Sequence, residues 1–267
     1  MGFHLPGLPS RELLIEIKNT AKNLVHGYGR LASWSMTMTR HDVLEIPIRD
    51  RSSAGQALAR LLTAYRRRPD VIVLALPRGG VPVAYEIANA LQVRLDLMLV
   101  RKLGVPGHSE LAMGAIASGG VRVLNRDVLA SLHIDGATVD AVAAQESLEL
   151  QRRDRAYRGE RPLPVLDGQQ VILVDDGLAT GATMQAAIKA VHQQSPARIV
   201  VAVPVAPPDS VALLRRQVDE VICPFTPEMF IAIGRWYVDF SQTSDQQVQT
   251  LLRQAWQREQ GEHEQQP

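Results

Sequence analysis

The stretch from Val171 to Thr183 reads VILVDDGLATGAT. Its first four residues form a continuous apolar run with β-branched character, the pattern of a strand buried on both faces. Asp175 and Asp176 follow at its C-terminal end, the edge where open α/β sheets hold ligands because loops and helix N-termini converge there. Gly177 and Gly181, with the small Ala179 and Ala182, let the backbone curl until several amide N–H groups face one oxyanion. Thr180 and Thr183 add hydroxyl donors. Beyond them Ala186, Ala187, Ala190 and Val191 recur at helical spacing, so the turn opens a helix whose positive end favours a phosphate.

Two carboxylates beside a phosphate cradle need another partner, since they repel phosphate. Vicinal hydroxyls, a Mg²⁺ ion, or both would serve, and a ribose carrying a 5-phosphate satisfies all these demands together. The plainer alternative is a strand whose terminal acids cap the next helix. A Walker loop is excluded because the G-x-x-x-x-G-K-[ST] lysine is missing.

A second apolar run, Val71 to Leu76, ends in Pro77-Arg78-Gly79-Gly80 and leads into a helical pattern through Val83, Ile87, Ala90 and Leu91. That turn offers a cation and exposed amides to a second phosphate group, although such turns also simply reverse the chain. The third informative segment, LMLVRKLGVPGHSELAMGAIASGG from Leu97 to Gly120, predicts a strand ending in Arg101-Lys102. Gly104, Pro106 and Gly107 then predict a mobile loop carrying His108, Ser109 and Glu110. Gly107-His108-Ser109-Glu110-Leu111 falls short of a G-x-S-x-G nucleophile elbow, lacking the final glycine and a strand into the serine.

VILVDDGLATGAT closely resembles the phosphoribosyl-pyrophosphate motif of type I phosphoribosyltransferases, most of all its form in adenine phosphoribosyltransferases. The resemblance implies that Asp175 and Asp176 hold the ribose hydroxyls, while Gly177, Ala179, Thr180, Gly181, Ala182 and Thr183 form the ribose 5-phosphate site. LPRGGVPVA resembles the pyrophosphate-binding loop of the same family, which implies that Arg78, Gly79 and Gly80 bind pyrophosphate, with a strained peptide between Pro77 and Gly79. Arg101-Lys102 before a glycine resembles the start of the family's catalytic flexible loop, a lid that would exclude water from a reactive sugar cation. The implied catalytic set is therefore Arg101, Lys102, Asp175 and Asp176, with Mg²⁺ as cofactor and phosphoribosyl pyrophosphate and a nitrogenous base as substrates. Phe230 and Trp236 are candidates for the base pocket. Asp175 and Asp176, through ribose hydroxyls or water, and Asp239 are candidates near the metal. The stretch from about Ile48 to Ser244 also resembles a group of bacterial phosphoribosyltransferases of unassigned acceptor. The rival reading is a non-catalytic protein that senses phosphoribosyl pyrophosphate and regulates transcription or RNA. An N-terminal extension too short for a winged helix with linker, and the Arg101-Lys102 pair, favour chemistry. A third reading is an enzyme that acts on a phosphoribosylated compound in another way, for instance by hydrolysis.

The composition agrees with one ordinary domain plus extensions: 267 residues, 46% hydrophobic and 21% charged, enough for a sizeable core. A net charge of +1 gives no global attraction to nucleic acid. The single cysteine, Cys223, excludes an intrachain disulfide or a Cys-rich zinc site and fits a reducing cytoplasm. No apolar run approaches a membrane span, and the early Arg11, Glu12 and Glu16 do not fit a signal peptide. A homodimer is expected.

Strands alternating with helices predict an α/β fold, type I phosphoribosyltransferase-like, with a central mostly parallel sheet, helices on both faces and a small hood. Residues 1–45 read as a partly helical extension, with Ile17, Ala21, Leu24 and Val25 on one face. Residues 46–244 read as the main domain, with the hood from about 223–243, and 245–267 as a C-terminal helix and polar tail. Ser52 to Arg68 is a predicted helix with Arg66-Arg67-Arg68 at its C-terminal end, and Ala137 to Arg158 a long one. Arg198–Val203 and Val218–Ile222 are predicted strands, and Ser244 with Gln247 forms a capping box for the last helix.

Overall fold

The structure, a computed structural model, describes residues 44–264. The helix expected around Ile17 to Val25 lies outside the described residues. Among those described, eight strands form two sheets. Strands β1 (Val71–Ala75), β2 (Arg94–Leu97), β6 (Gln170–Val174), β7 (Arg198–Ala202) and β8 (Glu220–Ile222) make a parallel sheet in the order β2-β1-β6-β7-β8. The VILV strand is thus central. It and β1 are buried at every position, which is why they read as unbroken apolar runs rather than alternations.

Alternate side chains of these strands feed two cores. Val73, Ala75, Ile172, Val174 and Val200 face one, where helices α1 (Arg51–Leu61) and α2 (Gly80–Leu91) pack. The opposite residues, Ile72, Leu74, Val171, Leu173 and Val201, face helices α5 (Ala182–His192) and α6 (Pro208–Leu214). Helices on both faces are what a parallel sheet requires. Helix α7 (Asp245–Glu264) joins the first core through Val248, Leu252 and Ala255. Its start is the expected box: the Ser244 amide donates to Gln247 Oε1 at 3.0 Å, and the Gln247 amide to Ser244 Oγ at 3.1 Å.

Two expectations need correction. Helix α1 stops at Leu61, so Arg66-Arg67-Arg68 does not end it. Arg67 adopts φ 55° and donates its amide to the Leu91 carbonyl, and Arg68 pairs with Asp70. A turn into β1 uses the basic run that composition alone assigns to a helix end. The segment after Arg101-Lys102 is not a loop either. It is strand β3 (Val100–Val105), which pairs antiparallel with β4 (His108–Ala117) and, through it, with β5 (Arg122–Leu124). Pro106 and Gly107, with Gly107 at φ 77°, occupy only the tight turn, for which proline followed by glycine is as well suited as for a loop. Helix α3 (Arg126–Ser131) and the long α4 (Gly136–Arg158) follow, and α4 packs on β3.

The last residue of α4 anchors it. Arg158 is buried and pairs with the buried Asp96 of β2 and with Asp154. Burial pushes the Asp96 pKa up, and the Arg158 charge opposes that rise. Removing one member of such a pair leaves an uncompensated buried charge. Arg158→Met is therefore expected to cost about 3–5 kcal/mol in urea denaturation, and adding Asp96→Leu should recover most of it; no recovery would mean that the charge pairing is not the source of the loss.

Candidate active site

The parallel register ends with Ala75 opposite Val174, so the turns after β1 and β6 leave the sheet side by side. The Leu76 amide donates to the Val174 carbonyl at 2.9 Å and carries the pairing one residue beyond the strands. The Pro77–Arg78 peptide is cis, within the segment singled out above. Gly79 and Gly80 then press against the acidic pair. A Cβ on Gly79 would lie 2.0 Å from Asp176 Oδ2, and one on Gly80 2.7 Å from the Val174 carbonyl oxygen. Both glycines are required by close approach of backbone to neighbour.

The two acids have different surroundings. Asp175 accepts from the Asp176 amide at 2.8 Å. It keeps partial exposure, yet crowding by protein, and then the neighbouring Asp176 charge, raise its pKa well above the usual carboxylate range. Asp176 is only 7% exposed. Burial raises its pKa too, but Arg51 opposes the rise, with Nε and one terminal nitrogen at 2.8 and 2.7 Å from Oδ2. Tyr237 donates its hydroxyl to the Asp176 carbonyl at 2.6 Å.

Helix α5 starts at Ala182, preceded by Gly181 at φ 70°, and no side chain caps it. Thr180 and Thr183 are exposed. Thr180 Oγ1 makes only a long 3.4 Å contact with the Ala182 amide, so the first amides of this helix and two hydroxyls face outward as donors. Gly177, at φ 152°, is closed in by Ile233 and Val205, which lie 2.7 and 3.1 Å from a Cβ placed there.

The cations are spread around this edge. Arg78 stands 3.5 Å from Asp245 at the start of α7, which also accepts from the Tyr157 hydroxyl at 2.6 Å. Arg101 makes a two-pronged contact to Glu146 of α4, at 2.7 and 2.6 Å. It lines a cavity of about 30 Å³ with Pro77 and Thr183. Lys102 lines a separate cavity of about 240 Å³ with Thr183 and Lys189. Successive residues of one strand point to opposite faces, so the two members of the expected pair line different cavities, although Val100 and Thr183 border both.

The hood is built from two parts of the chain. Residues 48–49 pair with 236–239: Ile48 donates to the Trp236 carbonyl, Val238 to that of Ile48 and Asp239 to that of Arg49. Trp236 packs edge-on against Phe225 with centroids 5.0 Å apart, and Phe230 lies against the first core. Asp239 accepts from the Ser241 amide at 2.9 Å, and its charged neighbours are Asp50 and Arg51. Among the described residues no three His, Cys, Asp or Glu side chains are grouped to hold a metal. Arg51 and Tyr237 are the site residues that sequence reasoning missed. For Arg51 the only local signal is Asp50, whose carboxylate caps α1 by accepting from the Ser53 amide at 2.7 Å.

Residues 48–240 match the family model of the phosphoribosyl transferase domain. Two Mycobacterium tuberculosis proteins, from strains CDC 1551 / Oshkosh and H37Rv and each named "Putative phosphoribosyl transferase", are 48% identical to this chain over 206 residues. The match covers 77% of this chain and 46% of each relative, so the chain spans about half the length of the curated relatives it matches. A crystal structure of TT1426 from Thermus thermophilus is 43% identical, covers 77% of this chain and 97% of that one, and superimposes with a TM-score of 0.69. With a domain match that takes in β1, the acidic pair and most of the hood, this chain belongs to the phosphoribosyl transferase domain family.

Proposed function

We propose that the protein transfers the 5-phosphoribosyl group from phosphoribosyl pyrophosphate to a nitrogenous base and releases pyrophosphate. The observation that carries this reading is the packing of Gly79 directly on Asp176, which sets the glycine turn that follows Arg78 against the acidic pair. In this reading Asp175 and Asp176 hold the ribose hydroxyls. The exposed amides and hydroxyls from Thr180 to Thr183 hold the 5-phosphate at the helix N-terminus, and Arg78 with Gly79 and Gly80 holds the pyrophosphate. Bond breaking at C1 leaves positive charge on the sugar and negative charge on the leaving group. Arg78 and Arg101 stabilise the leaving group, while the acids fix the ribose, so catalysis is mainly positioning and electrostatics. Arg101 exchanges Glu146 for pyrophosphate when substrate binds. Phe230 and Trp236 belong to the hood that closes the base side.

The donor set fits a magnesium ion that arrives with its substrate. Mg²⁺ keeps several waters and takes one or two carboxylates together with phosphate oxygens rather than an all-protein cage, and Asp175 and Asp176 are the carboxylates at this edge. Asp239, turned onto Ser241, is left out of that set. When bound, Mg²⁺ would neutralise charge on the pyrophosphate. A homodimer working in nucleotide salvage in the cytoplasm completes the reading.

The direct test is a panel of nucleobases with phosphoribosyl pyrophosphate and Mg²⁺, scored by pyrophosphate release. Turnover with at least one base is expected; tight binding of the donor with no turnover across the panel would favour the sensor.

A second test uses the acids themselves. Asp175→Asn with Asp176→Asn should abolish measurable donor binding by calorimetry, and unchanged affinity would sink the site. For Asp175 alone, the folded pKa lies above the unfolded one, so its ionised form opposes folding at neutral pH, and that penalty fades as pH falls through the raised value. Asp175→Asn should therefore raise the melting midpoint at pH 7, by about 2–4 °C for each kcal/mol relieved, and the gain should shrink in acid. A midpoint that drops at pH 7 would show that the carboxylate is not a source of strain.

A further inference from the structure

We propose that a cavity beside the starts of β1 and β2 binds a small organic anion, a planar ring carrying a phosphate or carboxylate head, in a site separate from the acidic pair. The cavity measures about 550 Å³, within the range of small-molecule pockets. Its wall includes Ile72 and Arg94, which stand opposite each other in the first half of their strands. The glycine turn and the acids instead follow the C-terminal ends of β1 and β6. Residues 161–164, after α4, and Trp256 and Gln260 of α7 complete the wall.

The charge balance of this wall favours an anion. Arg158 is paired with Asp96, and Arg161 with Glu259 at 2.5 Å. Arg94 is different. Among the described residues it meets only neutral acceptors, the Gln169 side-chain carbonyl and, at 3.5 Å, the Pro69 carbonyl, both through one terminal nitrogen. Its Nε is buried without a partner. A buried donor left without an acceptor is costly, more so on a charged group, and a planar guanidinium matches the geometry of a phosphate or carboxylate.

The rest of the wall suits a ring. Leu95, Pro162, Leu163, Pro164 and Trp256 give it apolar surface, and the Arg161 guanidinium lies 4.7 Å from the centre of the Trp256 ring, so a cation and a π-face already meet here. A peptide strand is a poor occupant, although β2 is an edge strand. The Leu95 amide donates to Glu259 at 3.0 Å, and the Leu95 carbonyl accepts from the Trp256 indole at 2.9 Å. Backbone groups that strand addition would use are thus taken by side chains of α7.

The test titrates the full chain, by calorimetry, with adenosine monophosphate, uridine monophosphate and indole-3-acetate, each beside its uncharged counterpart, adenosine, uridine and indole-3-acetamide. At least one headed ring should bind to the protein carrying Asp175→Asn with Asp176→Asn, in which the acids of the other site are gone. Its counterpart should bind at least about tenfold more weakly, the step for losing a charged hydrogen bond. Arg94→Met should weaken binding by about tenfold or more. Leu163 is 40% exposed, so Leu163→Glu sets a carboxylate at the rim without breaking an ion pair; it should weaken binding, whereas Leu163→Gln should not. If Arg94→Met does not fold, the two Leu163 variants decide the matter. Failure of every headed ring to bind the doubly substituted protein, or binding that Arg94→Met and Leu163→Glu leave unchanged, overturns the proposal. Phosphoribosyl pyrophosphate binding is measured separately in the wild type, and its absence there sinks the phosphoribosyl reading without touching this site.

Discussion

The parallel register that sets Ala75 opposite Val174 is the constraint on which the rest of this edge depends. It brings two turns, separated in sequence by about half of the domain, to the same height above the sheet. The Leu76 amide can then reach the Val174 carbonyl, and the next residues have nowhere to go but against Asp175 and Asp176. That closeness dictates Gly79 and Gly80, since a single methyl group at either would collide with the acids or with the strand backbone. A slip of one residue in the register would turn every β1 side chain to the other core, so the hydrophobic pattern that stabilises the sheet also fixes the distance between the turns.

The same arrangement is electrostatically costly. Two adjacent carboxylates lie where burial raises the pKa of both, and an unpaired buried charge is among the most expensive features a fold can hold. Arg51 offsets the cost at Asp176, and with Tyr237 on the carbonyl of the same residue it makes that position rigid. Asp175 accepts from its neighbour's amide and feels the Asp176 charge, so the larger rise falls on the more exposed of the two acids. Fixed donors and acceptors of this kind are what electrostatic preorganisation would consist of in the proposed reaction, and the two cores on either side of the sheet hold them in place.

What is legible in the sequence follows from the range over which each signal acts. The VILV and VIVLAL runs, the small-residue turn and the Ser244–Gln247 box are local patterns, and the structure has a strand, an uncapped helix start and a reciprocal cap at those places. Arg51 cannot be read this way. Its partner is 125 residues away, and nothing nearby distinguishes it from the other arginines of a chain rich in them. The hairpin of β3 and β4 escapes a sequence reading for a different reason: Gly104, Pro106 and Gly107 mark a break in regular structure, but a two-residue turn and a long loop use the same residues. The two-part hood is invisible because residues 48–49 join 236–239 through backbone hydrogen bonds, which carry no side-chain signature.

Making β3 a strand changes what Arg101 and Lys102 can do. In a loop, adjacent cations can turn toward the same anion. In a strand they face opposite ways, and here Arg101 meets Glu146 while Lys102 lines a cavity with Thr183 and Lys189. Glu146 belongs to α4, which packs on β3 and carries Arg158 into its buried pair with Asp96, so the carboxylate that holds Arg101 is itself held by a firmly anchored helix. Freeing Arg101 thus requires movement of its own side chain or of the hairpin, not of α4. An ion pair with both members about a quarter exposed is weakly held, on the order of 1 kcal/mol. In the proposed reaction Arg101 would exchange that carboxylate for the pyrophosphate, while the acids at the end of β6 stay fixed by Arg51 and Tyr237.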